Sequence, residues 1–243
     1  MRLNPVSRQF LASFLILACA ALPGAAWAVE KIDGLLDRTM KAYGGVDALR
    51  KAAAIREIGK VTSLMRGGKE GDIVREFERP DRLRVTIRYG GSDTEVRVYD
   101  GKSGWREGKA VQGPPLDAMV LQAARLALPL ILSDRRASLV DKGTYTVDGK
   151  ELRTVEIPLG NGLTLVVGID PVSGRIVRSS GTGGMGMGSK PLEFVTRYTD
   201  YRMVDGVLHP FREENYANGF VTGETTLSRV EILESFPPGT FRP

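Results

Sequence analysis

His209 is the only histidine of the 243-residue chain and lies in the stretch VLHPFR. A catalytic triad requires a nucleophile and an acid around such an imidazole, and the sequence contains no nucleophile elbow or oxyanion motif. A zinc site requires several histidine or cysteine ligands. The sequence therefore predicts no catalytic residue, no bound metal and a structural role for His209. An enzyme that uses His209 is the alternative.

A glycine-rich stretch contains a formal G-x-G-x-x-G at Gly181, Gly183 and Gly186. A dinucleotide site requires that this motif follow a strand and open a helix. Here it leads into KPLEFVTRY, which alternates as another strand does. We therefore interpret the stretch as a flexible connecting loop and predict no cofactor. Contact of Met185 and Met187 with a membrane, a partner or weakly bound copper is the alternative.

Residues 1–28 have the organisation of a cleaved signal peptide. Arg2 and Arg8 precede an apolar stretch from Phe10 to Leu22, and Ala26-Trp27-Ala28 fits the small-x-small cleavage pattern. A retained membrane helix would need about 20 apolar residues, and this stretch is shorter. The sequence therefore predicts export to the periplasm.

Cys19 is the only cysteine, and it would be lost with the signal peptide. The exported chain would then have no disulfide and no thiolate metal site. Lipid anchoring at Cys19, in the lipoprotein-box-like ILAC, is the alternative. The following AALPGAAWA is more apolar than a solvated tether usually is.

The remaining residues, 29–243, have the length of one domain with a large core. The formal net charge of the whole chain is +5 at pH 7. The charges are interspersed along the predicted strands and form no basic block, so we predict no nucleic-acid partner.

The sequence changes from a helical to a strand pattern after its first part. Val29–Ile55 is predicted to be helical, with a stop at Gly44-Gly45 and a second short helix in VDALRKAAAI. From Arg56 the apolar residues alternate, as in Arg82–Tyr89 and in LTLVVGI, which indicates sheets with one dry face. Turn signals join these runs into an antiparallel meander of about ten or eleven strands. They are Asp100-Gly101, Asp148-Gly149, Asp170–Arg175, Asp205-Gly206 and Asn218-Gly219.

The mid-chain stretch Met119–Leu132 is the longest apolar run after the N-terminus. It is too short to span a bilayer and contains Arg125 and Pro129. A helix so apolar must be buried on several sides, and Pro129 should kink or end it. We therefore predict a mainly antiparallel β fold. Its curled half-barrel sheet would hold the N-terminal and mid-chain helices in its concave face.

Several stretches together resemble an uncharacterised branch of the LolA/LolB-like outer-membrane lipoprotein-sorting family. They are YGGVDALRKAAAI, RPDRLRV, YDGKSGW, GIDPVSGRI, YTDYRMVDGVLHPFR and FPPGTFRP. The resemblance implies one domain over residues 29–243, a half-open barrel, and helices that act as a lid over a cavity for acyl chains. It implies that Leu121–Leu132 is the lid, which an arginine near the first strands would hold shut. Arg56, Arg66 and Arg75 are all candidates.

The pattern and the resemblance together define a set of expected ligand-binding residues. They are Leu83, Val85, Ile87, Trp105, Leu121, Leu128, Leu130, Ile131, Leu165, Val167 and Phe194. The resemblance implies a periplasmic carrier of lipids or lipoproteins that would sort lipoproteins to the outer membrane. Its partners would be acyl chains and proteins of the inner or outer membrane. The alternative is a non-catalytic envelope scaffold whose core is filled by its own side chains.

Overall fold

The computed structural model describes residues 32–183 and 192–243. The predicted signal peptide, Cys19, and Met185, Gly186 and Met187 lie outside the described residues.

Thirteen strands of the described residues form a single antiparallel sheet. Their order in the sheet is β6-β5-β4-β3-β2-β1-β13-β12-β11-β10-β9-β8-β7. Each strand pairs with its neighbours in sequence except β6 and β7, which are the two edges of the sheet. Strands β1 and β13 join the two halves, which we call the first arm (β1–β6) and the second arm (β7–β13). The bounds are β1 Ala54–Ser63, β2 Lys69–Glu78, β3 Arg82–Arg88, β4 Thr94–Tyr99, β5 Gly104–Arg106, β6 Lys109–Val111, β7 Val140–Val147, β8 Lys150–Gly160, β9 Leu163–Ile169, β10 Ile176–Gly183, β11 Leu192–Val204, β12 Val207–Ala217 and β13 Phe220–Leu233.

Four α-helices accompany this sheet in the described part of the chain. They are α1 Ile32–Ala42, α2 Val46–Lys51, α3 Pro114–Leu126 and α4 Leu130–Asp134. Helix α3 contacts β3, β4 and β5 of the first arm and β9 and β10 of the second. Because these strands are far apart in the sheet order, the sheet must curl around α3. The predicted curled antiparallel sheet, with helices on its concave face, is therefore confirmed.

The predicted number of strands, ten or eleven, was too low. Strands β5 and β6 have three residues each, which is too short for an alternating pattern to emerge. Strand β7 is exposed or half-buried along its whole length, so its sequence carries no dry face. Periodicity detects a strand only when one of its faces is buried over several residues.

The helix ends follow the local sequence closely. Helix α3 ends at Leu126 and α4 begins at Leu130, as expected from Pro129, which cannot donate a backbone hydrogen bond. The second N-terminal helix is shorter than predicted, because α2 ends at Lys51 and β1 already begins at Ala54.

Three of the predicted turns have both central residues at positive φ, which two-residue hairpins favour. They are Asp148-Gly149, Asp205-Gly206 and Asn218-Gly219.

Two apolar clusters hold α3 between the arms. The first joins Met119, Ala123 and Ala127 to the first arm, and its buried strand residues are Ile73, Phe77, Leu83, Val85, Ile87 and Tyr99. The second joins the other side of α3 to α1, α4 and the second arm, and it includes Leu35, Leu36, Met40, Leu121, Ala124, Leu130, Leu132, Leu165, Val167 and Ile169. Within residues 32–183 and 192–243, no helix is long and apolar enough to cross a membrane.

Candidate functional site

Most of the expected ligand-binding residues meet around α3. Leu83, Val85 and Ile87 are buried in the first cluster. In the second cluster Leu121, Leu130, Leu165 and Val167 are buried, whereas Leu128, Ile131 and Phe194 are partly buried against it. The structure thus brings ten of these residues to the concave side of the sheet.

Trp105 lies elsewhere. It pairs directly with Val98, which in turn pairs with Arg84, so both lie on the opposite side of the sheet from Leu83 and Val85. There Trp105 packs with Val98, Phe236 and Phe241. Trp105 therefore does not line the space around α3. Its position next to a turn gave no indication of the face of the sheet on which its side chain lies.

Gly181 brings α3 unusually close to the second arm. A Cβ atom placed on Gly181 would lie 2.4 Å from a methyl carbon of Leu121. Gly181 and Gly183 belong to β10, so the G-x-G-x-x-G pattern begins inside a strand rather than before a helix. Packing thus explains why position 181 is a glycine, because the absence of a side chain there makes room for Leu121.

One part of the space between α3 and the middle of the sheet is small. A cavity of about 50 Å³, the inner cavity, is lined by Leu128 and Arg125 on the helical side and by Arg75, His209 and Glu213 on the sheet side. Pockets for small-molecule ligands usually measure about 300–1,000 Å³. This part of the interior is thus nearly filled by the protein's own side chains while α3 is in place.

A buried ion triad lies opposite the polar side of α3. Arg75 donates two hydrogen bonds to Glu213, of 2.6 and 3.0 Å. Its Nε lies 2.6 Å from Oε2 of Glu57. All three side chains are less than 10% exposed. Burial raises the pKa of Glu57 against the lowering effect of Arg75. Burial alone would lower the pKa of Arg75, but Glu213 and Glu57 together raise it.

The triad was not predicted, although the sequence carries a signal for it. Arg75 occupies the position between Ile73 and Phe77 on the dry face of β2, where alternation requires an apolar residue. A charge at such a position is expected to have a buried partner of opposite charge. The partners lie on other strands, so local pattern could not identify them.

Arg79 holds the C-terminal end of α3. Its Nε donates a 3.1 Å hydrogen bond to the carbonyl oxygen of Ala52, and its Nη1 donates a 3.2 Å bond to that of Ala127, which follows the last residue of α3. Arginine is a favourable partner for the unsatisfied carbonyls at a helix C-terminus. Burial lowers the pKa of Arg79.

The three arginines that the sequence suggested for this role have other partners. Arg56 bonds to Glu76 and Glu231. Arg66 pairs with Asp93 and Glu95, and Arg75 belongs to the buried triad. The C-terminal end of α3 is therefore held by Arg79, in the turn after β2, and Arg97 of β4 donates a 3.4 Å hydrogen bond to Gln122 in the middle of the helix.

His209 lies in the wall of the inner cavity and is 7% exposed. Burial, and secondly the charge of Arg79, lowers the pKa of His209 to about 4. The imidazole is therefore neutral at neutral pH. Among the described residues no group of three His, Cys, Asp or Glu side chains is arranged to hold a metal ion.

Two larger grooves flank α3. The front groove, about 520 Å³, runs between α3–α4 and the turns that follow β4 and β8; its apolar residues include Leu116, Val120, Ala124, Ala127, Ile131 and Leu163. The arginine groove, about 340 Å³, opens at the other end, near the tip of the β1–β2 hairpin, and is lined by Arg66, Arg97, Arg106 and Arg125 among others. The site therefore combines a groove lined by both apolar and charged residues, a small inner cavity and a groove rich in arginine.

Comparison with known proteins gives relatives by structure alone. No family model matches the sequence, and no curated protein matches it. A domain assigned as an outer membrane lipoprotein-sorting protein, from Vibrio parahaemolyticus, superposes with a TM-score of 0.56 at 11% identity, covering 86% of this chain and 94% of that chain. A LolA superfamily protein from Nitrosomonas europaea superposes with a TM-score of 0.50 at 11% identity, covering 81% of this chain and 96% of that chain.

At these identities the likeness concerns the backbone. It extends over most of both chains in each comparison. The chain therefore has the LolA-like fold that its sequence motifs suggested.

Proposed function

We propose that this protein is a non-catalytic carrier that shelters the acyl chain of a lipid or lipoprotein in the periplasm. The observation that carries the proposal is the position of α3. An apolar helix fills the concave face of an open sheet, and a single arginine, Arg79, ties its C-terminal end to the turn after β2. The LolA-like fold supports the proposal, because two structural neighbours carry lipoprotein-sorting or LolA names.

Transport of an acyl chain through water requires a large apolar shelter. Each methylene group removed from water contributes about 0.8 kcal/mol, so a sixteen-carbon chain requires on the order of 12 kcal/mol. The inner cavity of about 50 Å³ cannot hold such a chain. To reach the space between the two apolar clusters, the acyl chain must therefore displace α3.

The front groove provides the first contact for the chain. Its volume of about 520 Å³ falls in the range of ordinary ligand pockets. Val120 and Ala124 of α3 line the groove, so a chain lying there already touches the helix that it displaces. Binding then shifts the equilibrium of α3 from a closed to an open position. The size of the shift is set by the difference between the ligand's affinities for the two positions.

The proposal includes export by cleavage of residues 1–28 and partners in the envelope. These partners would be acyl chains of lipoproteins or other lipids, and membrane proteins that load or unload the carrier, with sorting to the outer membrane as the specific process. The second candidate is a scaffold with a permanently filled core, and the small inner cavity favours it. The two differ in whether α3 ever leaves its place.

The deciding experiment combines native mass spectrometry with uptake of a fluorescent apolar probe. The full chain is purified from its envelope fraction, and Arg79→Gln is compared with Arg229→Gln, a control whose exposed side chain pairs with Glu231. A carrier should co-purify with lipid, and Arg79→Gln should take up more probe than either the wild type or the control. Absence of lipid together with no uptake by any variant would establish the scaffold instead.

A further inference from the structure

The arginine groove concentrates positive charge at one end of the concave space. Arg66 lies in the turn between β1 and β2, Arg97 in β4, Arg106 at the end of β5 and Arg125 in α3. Four separate elements thus direct a guanidinium group to one groove of about 340 Å³.

The acids around the groove do not balance this charge. One carboxylate, that of Glu95, is shared by three arginines: its oxygens lie 3.2 Å from Arg66 Nη2, 3.3 Å from Arg97 Nε and 3.4 Å from Arg106 Nη2. Asp93, the other nearby acid, pairs with Arg66 and also with Lys69.

Arg125 adds a cation without an acid of its own. Its guanidinium group has no hydrogen bond or ion pair with any residue in the described ranges, while the nearby Glu213 is engaged by Arg75. Burial lowers the pKa of Arg97, and the charges of Arg106 and Arg125 lower it further in spite of Glu95. The guanidinium groups therefore repel one another, and an added anion would relieve this repulsion.

Phosphate is the anion that such an arrangement fits well. Guanidinium groups bind phosphate oxygens through paired, charge-assisted hydrogen bonds, and several arginines are a common arrangement for this purpose. Within the described part of the chain the buried Nε of Arg97 pairs with Glu95 at 3.3 Å but makes no hydrogen bond of good geometry. Arg106 is half-exposed and contributes one ion pair only, so it is available to a ligand.

The surroundings indicate that the anion carries an apolar chain. Ile73, Ile87 and Leu121 line the same groove as the arginines. At its rim Met65 is 78% exposed, and Phe220, at the start of the neighbouring strand β13, is also 78% exposed. Exposed apolar side chains beside basic ones are typical of surfaces that contact lipid.

We propose that the arginine groove binds the phosphate-bearing headgroup of an acylated ligand, so that the protein selects anionic over uncharged amphiphiles. This inference rests on the proposed carrier function. The headgroup lies against Arg66 of the β1–β2 turn and against Arg97 and Arg106 of the sheet, while the chain extends past Ile73 and Ile87 into the place of α3.

A competition experiment with two amphiphiles of equal chain length tests the inference. Palmitoyl lysophosphatidylglycerol and monopalmitoylglycerol, both below their critical micelle concentrations, displace a fluorescent apolar probe from the full chain. The charged lipid should displace the probe at a concentration about tenfold lower, which corresponds to one or two charge-assisted hydrogen bonds. Arg66→Gln/Arg106→Gln should remove this difference. Arg202→Gln/Arg229→Gln, with the same change of charge at two exposed arginines outside the groove, should keep it.

The outcomes separate the inference from the function on which it rests. Equal displacement by both lipids would overturn the headgroup site and leave the carrier function intact. Competition by inorganic phosphate as strong as that by the charged lipid would overturn it in favour of a site for a soluble anion. If the probe does not bind and neither lipid binds, the carrier function itself fails, and the headgroup site fails with it.

Discussion

Replacement of Arg75 by leucine tests whether Arg75, Glu57 and Glu213 form a buried ion triad inside the sheet. The side chains of Arg75, Glu57 and Glu213 are 5%, 7% and 9% exposed. Arg75→Leu leaves two carboxylates in the interior without a cation. Removing one partner of a buried ion pair usually costs about 3–5 kcal/mol. Because domains are stable by only about 5–15 kcal/mol, this substitution should remove a large part of the stability.

The loss should depend on pH. Burial already raises the pKa of Glu57 above that of an unfolded chain, and removal of Arg75 raises it further. Between the unfolded and the folded pKa the native state binds more protons, so its stability falls as the pH rises. The Arg75→Leu variant should therefore recover part of its lost stability as the pH is lowered from 7 to 5.

Urea denaturation followed by circular dichroism at these two pH values measures the effect. The control is Arg212→Leu, which breaks the exposed pair with Glu224 on the neighbouring strand and should change the free energy of unfolding far less. A third variant, Glu57→Gln/Arg75→Met/Glu213→Gln, removes all three charges and should be more stable than Arg75→Leu alone. Equal losses for Arg75→Leu and Arg212→Leu, or a loss at pH 5 equal to that at pH 7, would refute the reasoning.

Three further predictions concern the surroundings of α3. The imidazole of His209 should titrate near pH 4, because burial lowers its pKa to about 4. NMR measures this titration on the single histidine signal. A midpoint near 6.5 would mean that the ring is accessible to water. Because the unfolded chain binds this proton more readily, the wild type should lose stability as the pH falls from about 6.5 towards 4. Leu128→Asp introduces an unpaired charge against the second apolar cluster and should lower the free energy of unfolding by about 2 kcal/mol or more, with greater probe uptake. Val172→Asp, at an 87% exposed position, should change neither quantity. Equal behaviour of the two variants would show that the segment between α3 and α4 does not cover the interior. Gly181→Ala places a methyl group against Leu121 and should lower the free energy of unfolding by about 1–3 kcal/mol, as measured by thermal unfolding. In a double-mutant cycle, Leu121→Ala should recover part of this loss; if it does not, the close contact is not the cause.

The sheet and the position of α3 were predictable because their signals are local. Alternation in Arg82–Tyr89 identified the dry face that carries Leu83, Val85 and Ile87, and Pro129 marked the interruption between α3 and α4. The strand count failed, since β5 and β6 are too short and β7 too exposed to show a period of two. For the same reason the short strand β5 gave no indication of the face that Trp105 takes.

The polar part of the site was not predictable from local patterns. Glu57, Arg75 and Glu213 come from three strands, and their meeting depends on the pairing of β1 with both β2 and β13 and on the curl of the sheet. The three arginines around Glu95 likewise come from separate strands and turns. Long-range register decides which charges meet, and a single sequence shows only that a charge occupies a dry-face position.

The two arms are joined in two different ways. At the back the hydrogen-bonded pair of β1 and β13 connects them, and at the front the covalent chain itself runs from edge strand β6 through α3 and α4 to edge strand β7. Only Gln112 and Gly113 separate β6 from α3, so the helix is tethered and can swing but not depart. Any outward swing of α3 pulls on β6, whose three residues are held by one neighbouring strand. We therefore expect the amide hydrogens of Lys109–Val111 to exchange with solvent together with those of α3, as one mechanical unit.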